Sequence, residues 1–312
     1  MMDDEKMARE EAEPSDGGCL ENIRSEKPVV AMRKLLALRL AIVLISSCAV
    51  VTAAAQTDDA TDLAKKTQNP VADLISVPFQ NNWNFQAGAH HNKRIYVLNI
   101  QPVVPIKLTD DWNMIARVIM PIVDQHALSP AADGGFGLGD MNPTFFFAPS
   151  KPGAIIWGLG PTFTFPTATQ EELGAEKWSV GPAAVILTMP GHWVFGALVN
   201  NQWSIAGWGK KNVNTFLMQP FVNYNLPDGW YLVSAPIVTA DWKAKKAGDV
   251  WTLPVGAGVG KLFKLGDVLP LEGRPLEKFP INAQIGAYGN VLKPEFGPAW
   301  QLRFQVQFLF PR

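Results

Sequence analysis

Polarity switches at every second position through most of the chain after residue 79. The last segment shows the pattern most plainly. Trp300, Leu302, Phe304, Val306, Phe308 and Phe310 take the even positions, and Gln301, Arg303, Gln305 and Gln307 take odd ones. A period of two held this long specifies a β-strand with two unlike faces. A soluble sandwich would bury the apolar face. A membrane barrel would turn it outward.

Strand-like segments with turn residues at their ends start near residues 79, 93, 112, 141, 153, 177, 192, 214, 229, 249, 279 and 297. In 95–108, Tyr96, Leu98, Ile100, Val104, Ile106 and Leu108 oppose Asn99, Gln101 and Lys107. In 112–122, Trp112, Met114, Val118 and Ile122 oppose Asn113 and Arg117. In 216–226, Phe216, Met218, Val222 and Tyr224 oppose Gln219, Asn223 and Asn225. In 281–287, Ile281 and Ile285 oppose Asn282 and Gln284. Several segments open on an aromatic residue: Trp112, Trp193, Trp230 and Phe279. Aromatic rings suit a membrane interface, where one edge is apolar and the other wet.

Connection lengths separate the barrel from the sandwich. TDD (109–111), PSKPG (149–153), MPGH (189–192) and LPDG (226–229) are tight. DQHALSPAADGGFGLGD (124–140), TATQEELGAEK (167–177), SIAGWGKKNVN (204–214), DWKAKKAGD (241–249) and GNVLKPEFG (289–297) are long and alternate with them. Tight turns at one end and long polar loops at the other mark an outer-membrane barrel. An even strand number then puts both termini on the tight-turn, periplasmic side. The stretch 262–278 breaks the rule and reads as an insertion in a periplasmic turn.

Met32 begins MRKLLALRLAIVLISSCAVVTAAAQ: a basic start, an apolar run, then Ala53-Ala54-Ala55 before Gln56. This is the order of a secretory signal peptide cleaved near Ala55. Residues 1–31 read as an extension upstream of the natural start. Both cysteines, Cys19 and Cys48, precede the cleavage site, so the mature chain is no disulfide scaffold. Of 27 Lys and Arg, 7 lie in 1–55, as do 9 of 28 Asp and Glu. The remainder is near neutral and shows no nucleic-acid signature. After residue 55 no apolar run approaches the roughly 18 residues of a membrane helix, so any membrane crossing must use strands.

Residues 60–80 carry Leu63, Thr67, Val71 and Leu74 at helical spacing, with Pro70 placed to start a second short helix. Such a segment can hang below the barrel, lie at the membrane or enter the lumen. Prolines recur on the lipid-facing parity: Pro102, Pro143, Pro161, Pro182, Pro220 and Pro298. Each removes a ladder donor, so each is expected at a bulge, bend or strand end. A sharper expectation is that they open lateral gaps in the wall.

NPVADLISVPFQNNWNF (69–85), followed by strands of the QPVVP and GPTFTFPT kind, resembles a bacterial outer-membrane transporter family. It is the family related to the meta-pathway phenol-degradation protein, whose members are often labelled neuromedin U. The resemblance covers about 69–312. It implies an outer-membrane barrel acting as a small-molecule channel and transfers no substrate.

The chain does not read as an enzyme. His90, His91, His126 and His192 are its four histidines. His90 and His91 are neighbours on opposite faces if extended, a poor metal pair. A serine hydrolase of the barrel type needs a histidine to take the serine proton. His192 falls at the opposite end, and His126 has only Ser129 near it. DGGFGLGD (133–140) lacks a following helix to hold a phosphate and reads as a flexible outer loop, with calcium as a weak alternative. No cofactor or metal is implied.

The reading is therefore an all-β transmembrane antiparallel β-barrel of about 12 strands with a short N-terminal helical segment. Its parts are an extension 1–31, a signal peptide 32–55, a periplasmic or lumenal segment 56–78 and a barrel 79–312, in the outer membrane of a Gram-negative bacterium. Parity lines the lumen with Asn82, Asn84, Gln86, Asn99, Gln101, Arg117, Asn200, Gln202, Gln219, Asn223, Asn225, Asn282, Gln284, Gln301, Arg303, Gln305 and Gln307. Amides donate and accept without charge. Such a lumen suits uncharged polar or aromatic solutes, or a plug held by hydrogen bonds. The function expected is diffusion of small, apolar or aromatic molecules; a non-conducting structural or adhesion barrel and a lipid-modifying enzyme are the alternatives. Arg117 and Arg303 are expected to pair with Asp62 or Asp73. Expected partners are outer-membrane lipids, the small-molecule solute, and the barrel-assembly machinery reading a C-terminal strand that ends on Phe310.

Overall fold

A computed structural model describes residues 62–128 and 133–310. The extension, the signal peptide and its cleavage site, Ser129, Pro311 and Arg312 lie outside the described residues.

Fifteen strands make twelve crossings of one closed antiparallel sheet. They are β1 (Ile75–Ala87), β2 (Lys93–Ile100) continued by β3 (Val103–Lys107), β4 (Trp112–Gln125), β5 (Gly135–Leu138) continued by β6 (Asn142–Pro149), β7 (Ile155–Thr164), β8 (Lys177–Thr188), β9 (Trp193–Gly207), β10 (Asn214–Asn225), β11 (Trp230–Ser234) continued by β12 (Val238–Asp241), β13 (Trp251–Lys264), β14 (Pro280–Leu292) and β15 (Trp300–Phe310). Closure is made by β1 and β15, in register from Ile75 opposite Phe310 to Phe85 opposite Trp300. That pairing puts both ends of the barrel at one rim, the terminus end. It also carries β1 back to Ile75, before the expected start at Phe79. No described helix is long and apolar enough to cross a membrane, which says nothing against strands.

The faces follow the alternation. On β1, Ser76, Gln80 and Asn82 are buried inside the ring. On β7, Ile155, Trp157 and Leu159 are exposed outside while Ile156 and Thr162 are buried inside. Aromatic pairs ring both ends of the outer face. Trp112 meets Trp157 at 5.9 Å and Phe279 meets Phe310 at 5.2 Å near the terminus end. Phe85 stacks on Trp300 at 4.3 Å, and Trp242 meets Trp251 at 5.4 Å, near the far end.

Four of the five terminus-end turns are tight, and 265–279 is the exception. At 227–229, Asp228 and Gly229 both take positive φ, 58° and 73°, as a two-residue hairpin turn of matching twist requires. The long stretch 265–279 is closed by its own bonds: Asp267 accepts the Lys264 N–H at 2.8 Å and Glu277 accepts the Gly273 N–H at 2.8 Å. The glycine-rich stretch expected as a flexible loop is partly strand. Gly135–Leu138 pairs with β4 from Gln125 to Ile122, because its backbone can continue the hairpin.

Pro143, Pro161, Pro182 and Pro220 break the ladder on one side only. Pro161 and Pro182 face each other within an unbroken β7–β8 register. On its other side β8 loses pairing with β9 between Val180 and Ala183. The wall nevertheless stays shut there. A Cβ at Gly160 would lie 1.8 Å from the Phe145 carbonyl oxygen, and one at Gly181 would lie 1.7 Å from that of Asn201. Strands that approach this closely leave no lateral gap at Gly160-Pro161 or Gly181-Pro182, which corrects that expectation. Pro102 falls between β2 and β3, and Pro220 faces the break between β11 and β12.

Among the described residues the N-terminal helix covers 62–67. Pro70 does not start a second helix. Asn69 Oδ1 takes the Val71 N–H at 3.0 Å and the Asn69 carbonyl takes the Ala72 N–H at 3.2 Å. The side chain thereby diverts the backbone into a turn.

Candidate lumenal site

Cross-strand partners share a face, so register alone stacks the inner residues into rows. One row runs Asn99, Gln80, Gln305, Gln284, Gly260, Tyr231 across β2, β1, β15, β14, β13 and β11. The next runs Val97, Asn82, Arg303, Gly286, Gly258, Val233. Glycine at successive inward positions of β13, Gly256, Gly258 and Gly260, is what these rows need. A Cβ at Gly260 would lie 2.2 Å from the Tyr231 ring, and one at Gly258 would lie 2.2 Å from the Ile285 carbonyl oxygen. The bare backbone there accommodates Tyr231 and the close approach of β14.

The polar side is a linked network. Arg303 is 3% exposed and donates to Asn82 at 3.3 Å, to the Ala235 carbonyl at 2.8 Å and to Gln301 at 3.0 Å, with its guanidinium 4.6 Å above the Tyr288 ring. Gln301 donates to Asn84 at 2.9 Å. Asn282 donates to Gln307 at 3.2 Å and accepts from the Tyr231 hydroxyl at 2.8 Å. Arg117 donates to Gln101 at 2.7 Å. Thr164 donates to Gln202 at 2.7 Å.

The two arginines are not paired as expected. Neither makes an ion pair with a carboxylate among the described residues. The described ion pairs are all exposed, such as Lys107 with Asp110 and Lys210 with Glu171. Buried Arg303 is satisfied by amides, a carbonyl and a ring face, without a second buried charge.

A cavity of about 170 Å³ gathers Gln101, Arg117, Gln219, Asn223, Asn282, Gln284, Arg303, Gln305 and Gln307, all expected in the lumen. Asn82, Asn84, Asn225 and Gln301 join through hydrogen bonds. Asn99 stands beside Gln80 in the row above, and Asn200 sits between Ala183 and Leu217 on the inner wall. Gln86 is a correction. It is exposed, has φ 57° and sits in the bulge between Asn84 and Ala87, where an extra residue resets the alternation.

The interior is not uniformly amide. Its other wall is apolar, with Phe146, Val185, Leu198, Phe221 and Val233 buried in one cluster. Parity marks these residues as inward, but apolar residues inside a barrel only make sense once something apolar faces them. That partner is the N-terminal segment. Val71 joins the same cluster, and Ala64 and Leu74 pack with Leu262 and Leu309. Lys66, Gln68, Asn69 and Leu74 line the cavity beside Arg117 and Arg303. The segment therefore occupies the terminus-end mouth of the lumen. Helical spacing made it visible in the sequence, but spacing cannot say what it packs against.

The histidines stay apart from this network. His90 and His91 are exposed on the first far-end loop, His126 lies against the Arg94 carbonyl at 3.4 Å, and His192 contacts the Tyr224 ring at the terminus end. No group of three or more His, Cys, Asp or Glu residues suited to a metal occurs among the described residues.

No protein-family model matches the sequence, and no curated protein matches it. Solved structures do. One is the COG4313 outer membrane channel from Pseudomonas putida F1, with a TM-score of 0.55 and 18% identity over 76% of this chain and 94% of that one. Another is the NanC porin, with a TM-score of 0.47 and 10% identity over 76% of this chain and all of that one. The likeness to the first shows a shared fold, which in this chain is a closed twelve-stranded antiparallel barrel. The second is too distant to carry an argument.

Proposed function

We propose that this chain is a channel of a Gram-negative outer membrane that passes small solutes by diffusion. The observation that carries the reading is the contrast between faces. Trp, Ile, Leu and Phe cover an outer wall with aromatic rims, while a cavity inside is lined by amides and arginine. Polar groups that only needed satisfaction would all be paired. Here Gln219, Asn223 and Gln305 line the cavity without a side-chain hydrogen bond among the described residues, and Asn223 Oδ1 is buried and unpartnered. The fold shared with the Pseudomonas putida channel, and the resemblance of 69–85 to the transporter family, support the same reading.

The segment 62–74 limits passage in this reading, because it fills the mouth through which solute leaves. Assembly into the membrane uses β15, whose outer face ends on Phe310. The secretory leader near Met32 brings the chain to the machinery that inserts it.

The packing of Val71 against the apolar inner wall favours a second reading, a barrel whose lumen is closed for structural reasons. Planar-bilayer recording separates the two. The channel reading expects discrete conductance from purified protein, rising when 62–73 are deleted. Silence in both forms, with folded barrel in the bilayer, sinks it.

A further inference from the structure

We infer that the lumen selects solutes that join an aromatic or branched apolar body to a carboxylate. The inference rests on the channel reading and adds the chemical class of the cargo.

Arg117 supplies the anion site. Its side chain is half-buried, lines the cavity, and makes one hydrogen bond, from Nη2 to Gln101 Oε1 at 2.7 Å. A guanidinium carries five N–H donors. The remaining donors have no partner among the described residues, although the planar fork is the geometry that grips a carboxylate at both oxygens. Arg303 differs, because three hydrogen bonds and the Tyr288 ring hold it in the wall. It contributes field, as does Lys66 from the N-terminal segment. No Asp or Glu is among the residues lining the cavity. Every formal charge that the described residues bring to this surface is therefore positive, and low-dielectric walls focus such a field on an entering anion.

The apolar body has its own place. Leu198, Phe221 and Val233 line the same cavity from the opposite wall. The volume of about 170 Å³ is close to that of apolar cavities that accept a benzene ring. Asn223, only 4% exposed and with no side-chain hydrogen bond among the described residues, offers a further polar contact between the two walls. A neutral aromatic solute would leave Arg117 unanswered, and a small inorganic anion would leave the apolar wall wet.

The test uses the full mature chain and three probes: benzoate, acetate and benzyl alcohol. In planar bilayers the pore should favour chloride over potassium in a salt gradient. Benzoate should block chloride current at a concentration at least tenfold lower than acetate or benzyl alcohol. Arg117→Gln should remove that preference, and Arg117→Lys should keep part of it, with heat-shifted gel mobility confirming that both variants are folded. A conducting pore that prefers potassium, or one that treats the three probes alike, overturns the inference while leaving the channel reading standing. If no current appears from the full chain or from the form lacking 62–73, the channel reading fails and the site is read by ligand-observed NMR in detergent. Benzoate binding that is at least tenfold tighter than the other two and weakened by Arg117→Gln upholds the anion site; equal or absent binding overturns it.

Discussion

Gln68 and Asn225 exchange hydrogen bonds through their amides, Gln68 Nε2 to Asn225 Oδ1 at 2.9 Å and Asn225 Nδ2 to Gln68 Oε1 at 3.3 Å. The first residue follows the N-terminal helix and the second ends β10, so the pair latches the segment to the barrel wall. Asn225 also donates to the His192 carbonyl at 3.0 Å, which fixes its orientation. Gln68→Ala is the cleaner probe, since it removes the latch and leaves that bond. Losing hydrogen bonds of this kind costs about 1–2 kcal/mol. Open probability in single-channel records should rise roughly 5- to 30-fold if the segment gates the lumen. An unchanged record would remove the segment from the gating account.

Val71 should hold the segment more strongly than the amide latch does. It is buried against Gly158, Phe146 and Val185, and a side chain of its size contributes about 1.5–3 kcal/mol by burial. Val71→Asp also places a carboxylate on the apolar wall, where charge is costly. The segment's described helical turns, 62–67, pack on the barrel interior through Ala64, so release should expose them. Trypsin should then cut at Lys65 and Lys66 at least tenfold faster than in the wild type, while the barrel stays intact. Equal cleavage rates would show that the segment is held by other contacts.

The outer architecture was legible because it depends on local rules. Strands expected near 93, 112, 177 and 214 begin at Lys93, Trp112, Lys177 and Asn214. Period-two polarity and turn residues determine both, and neither needs knowledge of the rest of the molecule. The interior was only half legible. Phe145-Phe146-Phe147 carries no polar alternation, yet Phe146 is fully buried inside while Phe147 is exposed outside. Tyr231 and Tyr288 hide in the same way between apolar neighbours. Only the inward glycines at 256, 258 and 260 hinted that large inner side chains needed room. Arg303 was expected on the lumen face from its parity, but two of its partners, Asn82 and Ala235, come from other strands and are brought to it only by the closed sheet.

Gly160 and Gly181 should be among the least substitutable positions of the wall. Each precedes a proline, and each would drive a Cβ into the carbonyl oxygen of the neighbouring strand, at 1.8 Å and 1.7 Å. Backbone on both sides cannot yield as a flexible side chain can. Gly160→Val and Gly181→Val should abolish heat-modifiable barrel on gels, whereas Gly153→Val, with nothing near its Cβ in the turn, should assemble normally. Normal assembly of Gly181→Val would mean that β8 and β9 separate there without cost.

Lys246 ties two far-end loops together through Glu295, and Asp249 takes the Glu295 backbone N–H at 2.7 Å. The hydrogen bond to Glu295, then its charge, raises the lysine pKa above its ordinary 10.5. A raised folded pKa means the contact is fully present below the ordinary value and is lost as pH rises through the raised one. The loops should therefore stay joined through neutral pH and part only in strong alkali. NMR titration of the Lys246 amine in detergent checks this, and Glu295→Gln should lower its midpoint. Because the pair is exposed, salt should weaken it.

The last strand is the strongest test of how the barrel closes. Every residue from Trp300 to Phe310 has a partner in β1, and most of the strand also pairs with β14. Leu309 is fully buried inside against Ala64 and Leu74, and Phe310 packs outside on Phe279 at 5.2 Å. Removing Phe308 to Arg312 takes away the rows Val77–Phe308, Ser76–Leu309 and Ile75–Phe310. It also bares Phe79 and Phe279, which both contact Phe308. The seam would then open at the terminus end, leaving unpaired strand edge in lipid, where each unmet backbone group costs several kcal/mol. Truncation before Phe308 should leave no folded barrel in the outer-membrane fraction. Removing Pro311 and Arg312 alone should leave it unchanged. Phe310→Ala tests the aromatic end separately, since it keeps every ladder bond. Loss of barrel in that variant alone would show that the ring is read during assembly and is not needed merely for the seam.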